Sequence, residues 1–246
     1  MAELSITQAL AGILAHDGAR PLVTQIWADG QRAELSVRTF ENNVAKAANL
    51  LQDDAEAGPT SSVIIGLPLH WQTSVWLTAC ALVGARVYPN ASNLDTRGIE
   101  PVAAIVDAAS AAESFTCPTY VASLHPLGLP GDSVPTGTID LAREVRGFSD
   151  VFVPYVPSDA TTPWLVFDDV ELTQGDALDE AASLARSVGL EMGGRLLIPG
   201  SAVQTRYLAL SAIALVMDAS IVICADGNSD VDAVMNSERC TAILTG

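Results

Sequence analysis

Two adjacent carboxylates, Asp168 and Asp169, are the side chains in this sequence whose types and spacing most directly suggest chemistry. They follow an apolar run at residues 164–167, and Glu171 adds a third carboxylate two residues later. Carboxylate oxygens suit hard cations such as Mg²⁺ and Ca²⁺. One hypothesis therefore places a divalent-cation site at Asp168 and Asp169. The alternative is that these side chains are simply solvated, as acidic residues in a very acidic chain usually are.

A serine nucleophile with a histidine base is the second chemical candidate. Ser201 lies in the sequence G-S-A-V at residues 200–203, and His16, His70 and His125 are the available bases. The segment lacks the second glycine of a nucleophile elbow. No histidine has a partner nearby in the sequence, so a hydrolase triad would depend on the fold bringing distant residues together. We assign no catalytic residue from the sequence.

Cofactor and metal motifs are not found elsewhere in the sequence. The pair Gly193-Gly194 lacks the G-x-G-x-x-G spacing of a dinucleotide site, so no cofactor is expected. The four cysteines are far apart, with no Cys-x-x-Cys pair, which indicates free buried thiols rather than a zinc site or a disulfide framework. They are Cys80, Cys117, Cys224 and Cys240.

The charge balance excludes several classes of partner. The chain has 29 acidic and 12 basic residues and a net charge of −17. Nucleic-acid binding needs a basic surface that neutralises phosphates, and this chain offers none. Anionic membrane surfaces and polyphosphates are disfavoured for the same electrostatic reason. The only lysine is Lys46, which is predicted to be a solvated side chain on a helix.

The apolar segments indicate a cytoplasmic protein. The first residues do not combine a basic stretch with an apolar block, so no signal peptide is expected. Residues 207–225 are apolar with one charge, Asp218. Since Asp218 interrupts the run and a β-branched stretch follows it, we interpret the run as a buried helix, a turn and a buried strand. No membrane partner is expected.

Hydrophobic periodicity and turn residues predict alternating strands and helices. Helices are predicted at residues 6–15, 39–51, 73–83, 173–185 and 205–217, with Thr39 and Thr173 as N-caps. Strands are predicted at residues 22–27, 35–37, 62–66, 86–88, 103–106, 119–122, 164–167, 170–172, 195–198 and 220–224. Residues 127–137 are rich in Gly and Pro and are predicted to form an irregular loop. Residues 150–157 are predicted to form an edge segment or an extended loop.

Two segments, at about 35–90 and 170–225, have the same order of parts and indicate an internal duplication. The matching positions are Thr39 with Thr173, Leu67-Pro68 with Ile198-Pro199, and Gly84-Ala85 with Asp218-Ala219. Strand–helix–strand units with short links form parallel sheets with right-handed crossovers. The sequence therefore predicts one compact α/β domain over residues 1–246, with Rossmann-like parallel sheets flanked by helices and two pseudo-repeats.

Residues 35–90 resemble the opening of the adenylate-forming superfamily, which includes acyl-CoA synthetases, peptide-synthetase adenylation domains and luciferases. Those proteins carry V-x-I-x-L-P-N-S before an apolar helix and G-A-V-x-V-P-L-N-P after it. The corresponding stretches here are Ser62-Val-Ile-Ile-Gly-Leu-Pro-Leu69 and Leu82-Val-Gly-Ala-Arg-Val-Tyr-Pro-Asn90. The second copy resembles the region that follows the phosphate loop of the family, through Val170-Glu-Leu-Thr-Gln174 and Gly194-Arg-Leu-Leu-Ile-Pro199.

The resemblance implies a phosphate-binding loop after residue 167, and the sequence departs from the family there. The family has a Ser/Thr/Gly-rich loop ending in Pro-Lys-Gly at this position, where backbone N–H groups and a lysine hold phosphates. Here Asp168-Asp169 stand in its place. Two carboxylates would repel a triphosphate. The acyl- and adenine-binding half, the hinge motif and the lid with its catalytic lysine are also expected to be missing.

These features lead us to expect a non-catalytic interaction or regulatory module without adenylation activity. Apolar surface that meets the missing half in the family would then be covered by a homo-oligomer or a protein partner. One alternative is a small-molecule or metal-ion binder, or a weak enzyme, with a pocket at the carboxyl ends of the strands. A part of an acyl-CoA synthetase-like ligase is a further alternative.

Overall fold

The computed structural model describes residues 4–89, 99–110, 115–167, 170–200, 206–224 and 230–244. The chain begins with α1 (Ile6–Asp17), β1 (Pro21–Ile26), β2 (Arg32–Ser36), α2 (Val37–Asp53), β3 (Ser62–Gly66), α3 (Trp71–Val83) and β4 (Arg86–Pro89). The middle contains β5 (Pro101–Asp107), β6 (Thr119–Ala122), β7 (Ile139–Asp140), α4 (Leu141–Glu144) and a 3₁₀ turn at Val145–Gly147.

The last third of the chain carries the second set of elements. It contains β8 (Pro163–Phe167), β9 (Val170–Thr173), α5 (Gln174–Ser187), β10 (Arg195–Pro199), α6 (Arg206–Leu208), a π-helical turn at Ala209–Ile213, α7 (Ala214–Val216), β11 (Ser220–Cys224), α8 (Val231–Ser237) and β12 (Ala242–Ile243). No helix in the described parts of the chain is long and apolar enough to span a membrane.

The strands form two sheets, which confirms the predicted α/β fold. The five-stranded sheet has the order β12-β10-β11-β1-β2, and the seven-stranded sheet has the order β7-β6-β5-β3-β4-β8-β9. All described pairings are parallel except β1 with β2 and β8 with β9. Each sheet therefore ends in one antiparallel strand that the prediction of parallel sheets did not include, because a short connection forms a hairpin whereas a parallel pair needs a crossover.

The two sheets share one strand arrangement, and each pseudo-repeat contributes strands to both sheets. The order β12-β10-β11-β1-β2 corresponds to β5-β3-β4-β8-β9. The segment at 35–90 starts on an edge of the five-stranded sheet and continues in the seven-stranded one, whereas the segment at 170–225 does the reverse. Both hairpins also have a register shift just after the first residue of their first strand, at Pro21 and at Pro163. We propose that this exchange reflects the duplication.

The N-cap of the helix that follows β2 lies three residues earlier than predicted. Ser36, not Thr39, is the N-cap of α2, since Ser36 Oγ accepts a hydrogen bond of 3.1 Å from the backbone N–H of Thr39. Ser36 pairs with Pro21 as Thr173 pairs with Pro163. The equivalent of the cap Thr173 is therefore Ser36. Serine and threonine are both favoured N-caps. The hydrophobic periodicity alone therefore did not decide whether Ser36 or Thr39 caps α2.

The matched prolines of the two copies are also offset. Ser62 pairs with Arg86 at the start of β3 and β4, and Arg195 pairs with Ser220 at the start of β10 and β11. Counting from these pairs, Pro199 corresponds to Gly66 rather than to Pro68. The proposed match of Leu67-Pro68 with Ile198-Pro199 is therefore wrong by two residues.

The turns before β4 and β11 match each other as predicted, with Gly84-Ala85 equivalent to Asp218-Ala219. Gly84 and Asp218 both have a left-handed backbone, with φ of 78° and 47°, and each precedes a fully buried alanine. Asp218 is an L residue in a conformation that favours glycine. Its carboxylate is held by Arg20 Nη2 at 2.5 Å and His16 Nδ1 at 2.7 Å.

The structure confirms that the apolar run after residue 206 forms a helix, a turn and a strand. The helix is not regular. A π-helical turn separates α6 from α7. Within it, Ser211 Oγ donates a 2.5 Å hydrogen bond to the carbonyl of Tyr207. A hydroxyl that bonds to the carbonyl four residues earlier competes with the regular backbone ladder and distorts it. Thr205, the predicted first residue, lies outside the described residues.

Helix α3 lies at the centre of the core. All 13 of its residues are buried, and one apolar cluster joins it to side chains of both sheets, such as Ile65 of β3 and Ile221 of β11. Some polar groups inside this core are paired with backbone groups of α3. Trp164 Nε1 donates to the Leu77 carbonyl at 3.0 Å. A helix that is apolar on all sides requires cover on all sides, which explains why α3 is enclosed.

One fully buried glutamine, Gln174, connects three helices. Its Oε1 accepts from the backbone N–H of Ile6 at 3.0 Å, and its Nε2 donates to the carbonyl of Ala81 at 2.8 Å. The first amide of α1 has no partner within its own helix, and Gln174 supplies one from the start of α5. The carbonyl of Ala81, in the last turn of α3, also accepts from the N–H of Gly84 at 3.2 Å and from Ser158 Oγ at 3.0 Å.

Candidate functional site

Aromatic and polar side chains cluster at the carboxyl ends of the strands, where ligands usually bind in open α/β sheets. Trp27 follows β1 of the five-stranded sheet, and His70 follows β3 of the seven-stranded sheet. Their rings lie 5.9 Å apart. A second ring contact joins the end of β8 to helix α6, since the rings of Phe167 and Tyr207 stack with centroids 5.8 Å apart. The two sheets therefore meet at this edge.

His70 is a buried residue with two different ring nitrogens. Its Nδ1 accepts a hydrogen bond of 3.2 Å from the backbone N–H of Gln72 and caps α3. Its Nε2 is buried and has no hydrogen-bond partner in the described part of the chain. Burial lowers the pKa of His70 from 6.5 to about 4, and the nearby carbonyl of Leu124 opposes this effect without completing a hydrogen bond of normal geometry. His70 is therefore neutral at neutral pH.

The N-terminus of α3 is closed by groups of the protein itself. Gln25 Oε1 of β1 accepts from the backbone N–H of Trp71 at 2.9 Å, and His70 Nδ1 accepts from Gln72. The N–H of Thr73 donates to the carbonyl of His70 at 3.0 Å. Free N–H groups at a helix start can bind phosphate, but these three are already paired. The first turn of α3 therefore offers no anion site.

The N-terminus of α5 is closed in the same way. Gln174 N–H donates to the Thr162 carbonyl at 3.0 Å, and Gly175 N–H donates to the Ala160 carbonyl at 2.8 Å. Thr173 Oγ1 accepts from the N–H of Asp176 at 3.1 Å and completes a capping box. The carboxylate of Asp176 in this first turn adds negative charge where a phosphate would bind.

The hairpin of β8 and β9 has paired strands up to its last described residues. Phe167 lies opposite Val170, so two residues connect the strands. These two, Asp168 and Asp169, lie outside the described residues, and the cation site predicted there stays a hypothesis. Glu171, the third carboxylate of that hypothesis, forms an ion pair with Arg86 Nε at 2.5 Å. Among the described residues, no group of three or more His, Cys, Asp or Glu side chains could hold a metal.

The serine–histidine hypothesis stays a prediction, and the described histidines have other partners. Ser201 lies outside the described residues. His16 meets Asp218 at 2.7 Å, but Asp218 precedes β11 and also binds Arg20, so this pair lies at the amino end of the strand. His125 Nδ1 accepts from the N–H of Leu127 at 3.0 Å. The His16–Asp218 contact joins α1 to the start of β11.

The cysteines are free thiols, as predicted. Cys80 and Cys224 are buried, whereas Cys117 and Cys240 are partly exposed. Burial raises the pKa of Cys80 above its usual range and that of Cys240 to about 11. A raised pKa keeps a thiol protonated and unreactive at neutral pH.

The sequence did not predict the contact between Gln25 and Trp71. That contact joins residues 46 positions apart. The sequence offers no local signal for it, because glutamine at a strand end is common and its partner is a backbone group.

The chain has the fold of about half of an acyl-CoA synthetase. It superposes on such an enzyme from Brucella canis with a TM-score of 0.74 and 18% identity, over 96% of this chain and 46% of that chain. It is also similar to a fatty acyl CoA synthetase of Mycobacterium tuberculosis, with a TM-score of 0.70 and 15% identity over 96% and 48% of the two chains. The predicted resemblance to adenylate-forming enzymes is thus confirmed for the fold.

An N-terminal subdomain gives a similar result. The subdomain of NpsA from Klebsiella oxytoca, solved in complex with anthranilyl-AMSN, has a TM-score of 0.65 and 16% identity over 98% of this chain and 58% of that chain. The chain therefore spans about half the length of these solved structures.

In sequence, the chain is similar to a TIGR03089 family protein of Mycobacterium tuberculosis. The two are 40% identical over 133 residues, which is 52% of this chain and 53% of that protein. The match therefore covers about half of each. No family model matches the chain.

The buried His70 predicts a pH dependence of stability. Since its pKa is about 4 in the folded state and near 6.5 in the unfolded state, the unfolded chain binds the proton first as the pH falls. Above pH 6.5 the contribution of neutral His70 to the free energy of unfolding is fully present. It is lost as the pH falls from 6.5 to about 4. The loss between pH 7 and 4.5 is about 2–3 kcal/mol. Urea unfolding at both pH values measures it.

The control for this prediction is a variant in which a residue that does not titrate replaces His70 as the N-cap of α3. Asn is a good N-cap, so His70→Asn keeps the cap and should lose about 2 kcal/mol less than the wild type over the same pH interval. His125→Asn keeps His70 and should show the wild-type loss. Equal losses in His70→Asn and in the wild type would contradict the assignment of a neutral, buried His70.

Proposed function

We propose that this chain is a non-catalytic interaction or regulatory module with the fold of part of an acyl-CoA synthetase. The observation that carries the proposal is the hairpin of β8 and β9, whose strands remain paired up to Phe167 and Val170. By the resemblance, adenylate-forming enzymes hold phosphates in a Gly-rich loop at this position. Two intervening residues are too few for a loop whose successive N–H groups surround a phosphate.

Electrostatics supports the same proposal. The two connecting residues are Asp168 and Asp169, and the chain carries a net charge of −17. The single lysine, Lys46, lies on α2 and not on this hairpin. The first turns of α3 and α5, which follow β3 and β9, have their N–H groups paired within the protein. A nucleotide triphosphate would therefore meet negative charge and occupied donors at this edge.

An extended segment on the surface supports a role in interaction. Residues 149–157, here called the strap, run along α2 without strand pairing and confirm the predicted extended loop. Asn49 Nδ2 donates to the carbonyl of Val151 at 3.0 Å, and Gln52 Nε2 donates to that of Val153 at 3.2 Å. Gln52 Oε1 accepts from the N–H of Tyr155 at 2.8 Å. The strap is thus held extended by side chains of α2.

The strap exposes alternate apolar side chains. Val151, Val153 and Tyr155 are 68%, 71% and 76% exposed, whereas Phe152 between them is partly buried against the core. Adjacent exposed apolar residues on a fixed backbone favour association, because little conformational freedom remains to be lost on binding. We propose that this surface contacts a second copy of the chain or another protein.

The composition supports the proposal that the chain binds neither nucleic acid nor membranes. A net charge of −17 opposes contact with nucleic acid and with anionic membranes. The cytoplasmic location, like the oligomeric state, stays a prediction.

A second candidate is a small-molecule or metal-ion binder, or a weak enzyme, at the carboxyl edge of the sheets. The unpartnered Nε2 of His70, between the rings of Trp27 and Trp71, favours it. Binding to the native state must raise the melting temperature. A rise with ATP, AMP, an acyl-CoA or a divalent cation would favour this candidate over the first. A ligase part completed by another chain would still need a phosphate loop.

Pyrophosphate exchange tests the absence of adenylation. The purified chain is incubated with MgATP, labelled pyrophosphate and a panel of aliphatic and aromatic carboxylic acids. It should incorporate no label above a heat-denatured sample, since two residues between β8 and β9 are too few to surround a phosphate. An acyl-CoA synthetase run in parallel shows that the assay works. Acid-dependent incorporation by the chain would contradict the proposal.

Light scattering after size exclusion tests the strap. The wild type should associate as its concentration rises, and Val151→Glu with Val153→Glu should raise its dissociation constant at least tenfold, or about 1.4 kcal/mol, because charges enter an apolar contact. Met192→Glu is the matched control, since Met192 is 66% exposed and lies outside the strap.

Two outcomes would count against the strap as an interface. In the first, the wild type is a monomer at every concentration and retains no protein partner in a pull-down. In the second, the Met192 control weakens association as much as the strap variant does.

A further inference from the structure

A cavity of about 250 Å³ lies between α2, the start of α3, the segment after β6, and α4 with its 3₁₀ turn. Buried apolar side chains form part of its wall, among them Val75, Trp76 and Leu141. Its volume is slightly below the range of about 300–1,000 Å³ that is typical of pockets for drug-sized ligands. At about 30 Å³ for each water in the liquid, it would hold a molecule of roughly eight to ten non-hydrogen atoms.

Two cations line this cavity, although the chain is strongly acidic. They are Lys46 of α2 and Arg146 of the 3₁₀ turn, 100 residues apart in sequence. Neither forms an ion pair with any described residue, and no acidic side chain lines the cavity. Several other arginines of the described chain do pair with carboxylates. They include Arg20, Arg32, Arg86, Arg143 and Arg195.

Unpartnered polar atoms border the same cavity. Trp71 Nε1 and Gln72 Oε1 are buried, and within the described chain neither has a hydrogen-bond partner. Both residues line the cavity and are more than nine-tenths buried. Nearly all buried polar atoms in folded proteins are paired with protein groups or ordered molecules. Small movements of these two side chains would bring an indole donor and an amide to a molecule in the cavity.

The arrangement determines the chemistry of the occupant. A guanidinium and an ammonium together suit an oxyanion with more than one negative oxygen. The aromatic and aliphatic wall suits an apolar body. Screening limits the repulsion from distant carboxylates, because exposed charges more than about 8 Å away are largely screened at physiological ionic strength. Lys46 and Arg146 are therefore the charged side chains that a molecule in the cavity would meet directly.

We propose that this cavity binds a small organic anion whose tetrahedral oxyanion head faces Lys46 and Arg146 and whose apolar body lies against Val75, Trp76 and Leu141. This inference does not rest on the proposed function, since it uses neither the β8–β9 hairpin nor the strap. Trp71 Nε1 supplies an additional N–H donor to the bound anion, whereas Gln72 Oε1 can only accept, from a protonated oxygen of the head.

Calorimetric titration with phenylphosphonate tests the proposal, because this probe combines a tetrahedral oxyanion with an aromatic ring and has about ten non-hydrogen atoms, as the volume requires. We expect saturable binding with a dissociation constant below about 1 mM. Benzamide, which lacks the charge, and inorganic phosphate, which lacks the ring, should each bind at least tenfold more weakly.

Substitutions locate the binding. Lys46→Met and Arg146→Met should each weaken phenylphosphonate binding by about tenfold, since each removes one charged partner. Arg143→Gln is the matched control, because Arg143 is close in sequence but pairs with Asp140 and does not line the cavity. It should bind as the wild type does. The indole N–H signal of Trp71 in an NMR spectrum, assigned with Trp71→Phe, should move during the titration.

Several outcomes would overturn the proposal. One is no saturable binding by the folded wild type, which would mean that water alone fills the cavity. Another is equal affinity for inorganic phosphate, which would indicate an adventitious ion only. A third is an affinity that survives both Lys46→Met and Arg146→Met, or a Trp71 indole signal that stays in place, since either would put the bound anion elsewhere. Circular dichroism of each variant confirms that the chain is folded.

Discussion

The need to pair backbone N–H groups at buried helix starts is the constraint on which the rest of this structure depends. A helix begins with N–H groups that have no partner within it, and in many nucleotide-binding proteins a phosphate supplies that partner. Here Gln25 and His70 supply it for α3, and Thr173 with the carbonyls of Thr162 and Ala160 supplies it for α5. An anion could bind at these helices only by displacing hydrogen bonds that already exist.

One of these contacts also builds the core, and the side chain of Gln174 at the start of α5 adds two more. The bond from Trp71 to Gln25 joins the central helix α3 to the five-stranded sheet, and Gln174 joins α5 to α1 and α3. Removing one would leave a buried donor or acceptor without a partner, which costs about 1–3 kcal/mol. The polar residues near the carboxyl edge are therefore largely engaged in structure. The strap and the cavity of Lys46 and Arg146 are the surfaces that remain for function.

The sequence predicted the elements whose signal is local. Strands β3, β6 and β11 have the predicted bounds, because each is a short β-branched run between turn residues, and Thr173 is the predicted cap of α5. The missed elements, β7, α4, α8 and β12, are two to seven residues long and too short for a periodic pattern. The sequence did not predict that Lys46 lines a cavity together with Arg146, because a juxtaposition across 100 residues has no local signature. The site at Asp168 and Asp169 stays a prediction.

Backbone NMR of the labelled chain during titration with MgATP tests the central claim most directly. The amide signals of Gln174, Gly175 and Asp176 report the helix start that follows the β8–β9 hairpin, and those of Trp71, Gln72 and Thr73 report the start of α3. If these N–H groups are committed to the protein, their signals stay in place at the highest nucleotide concentration. Saturable movement of either set would show that a nucleotide reaches them and would contradict this account.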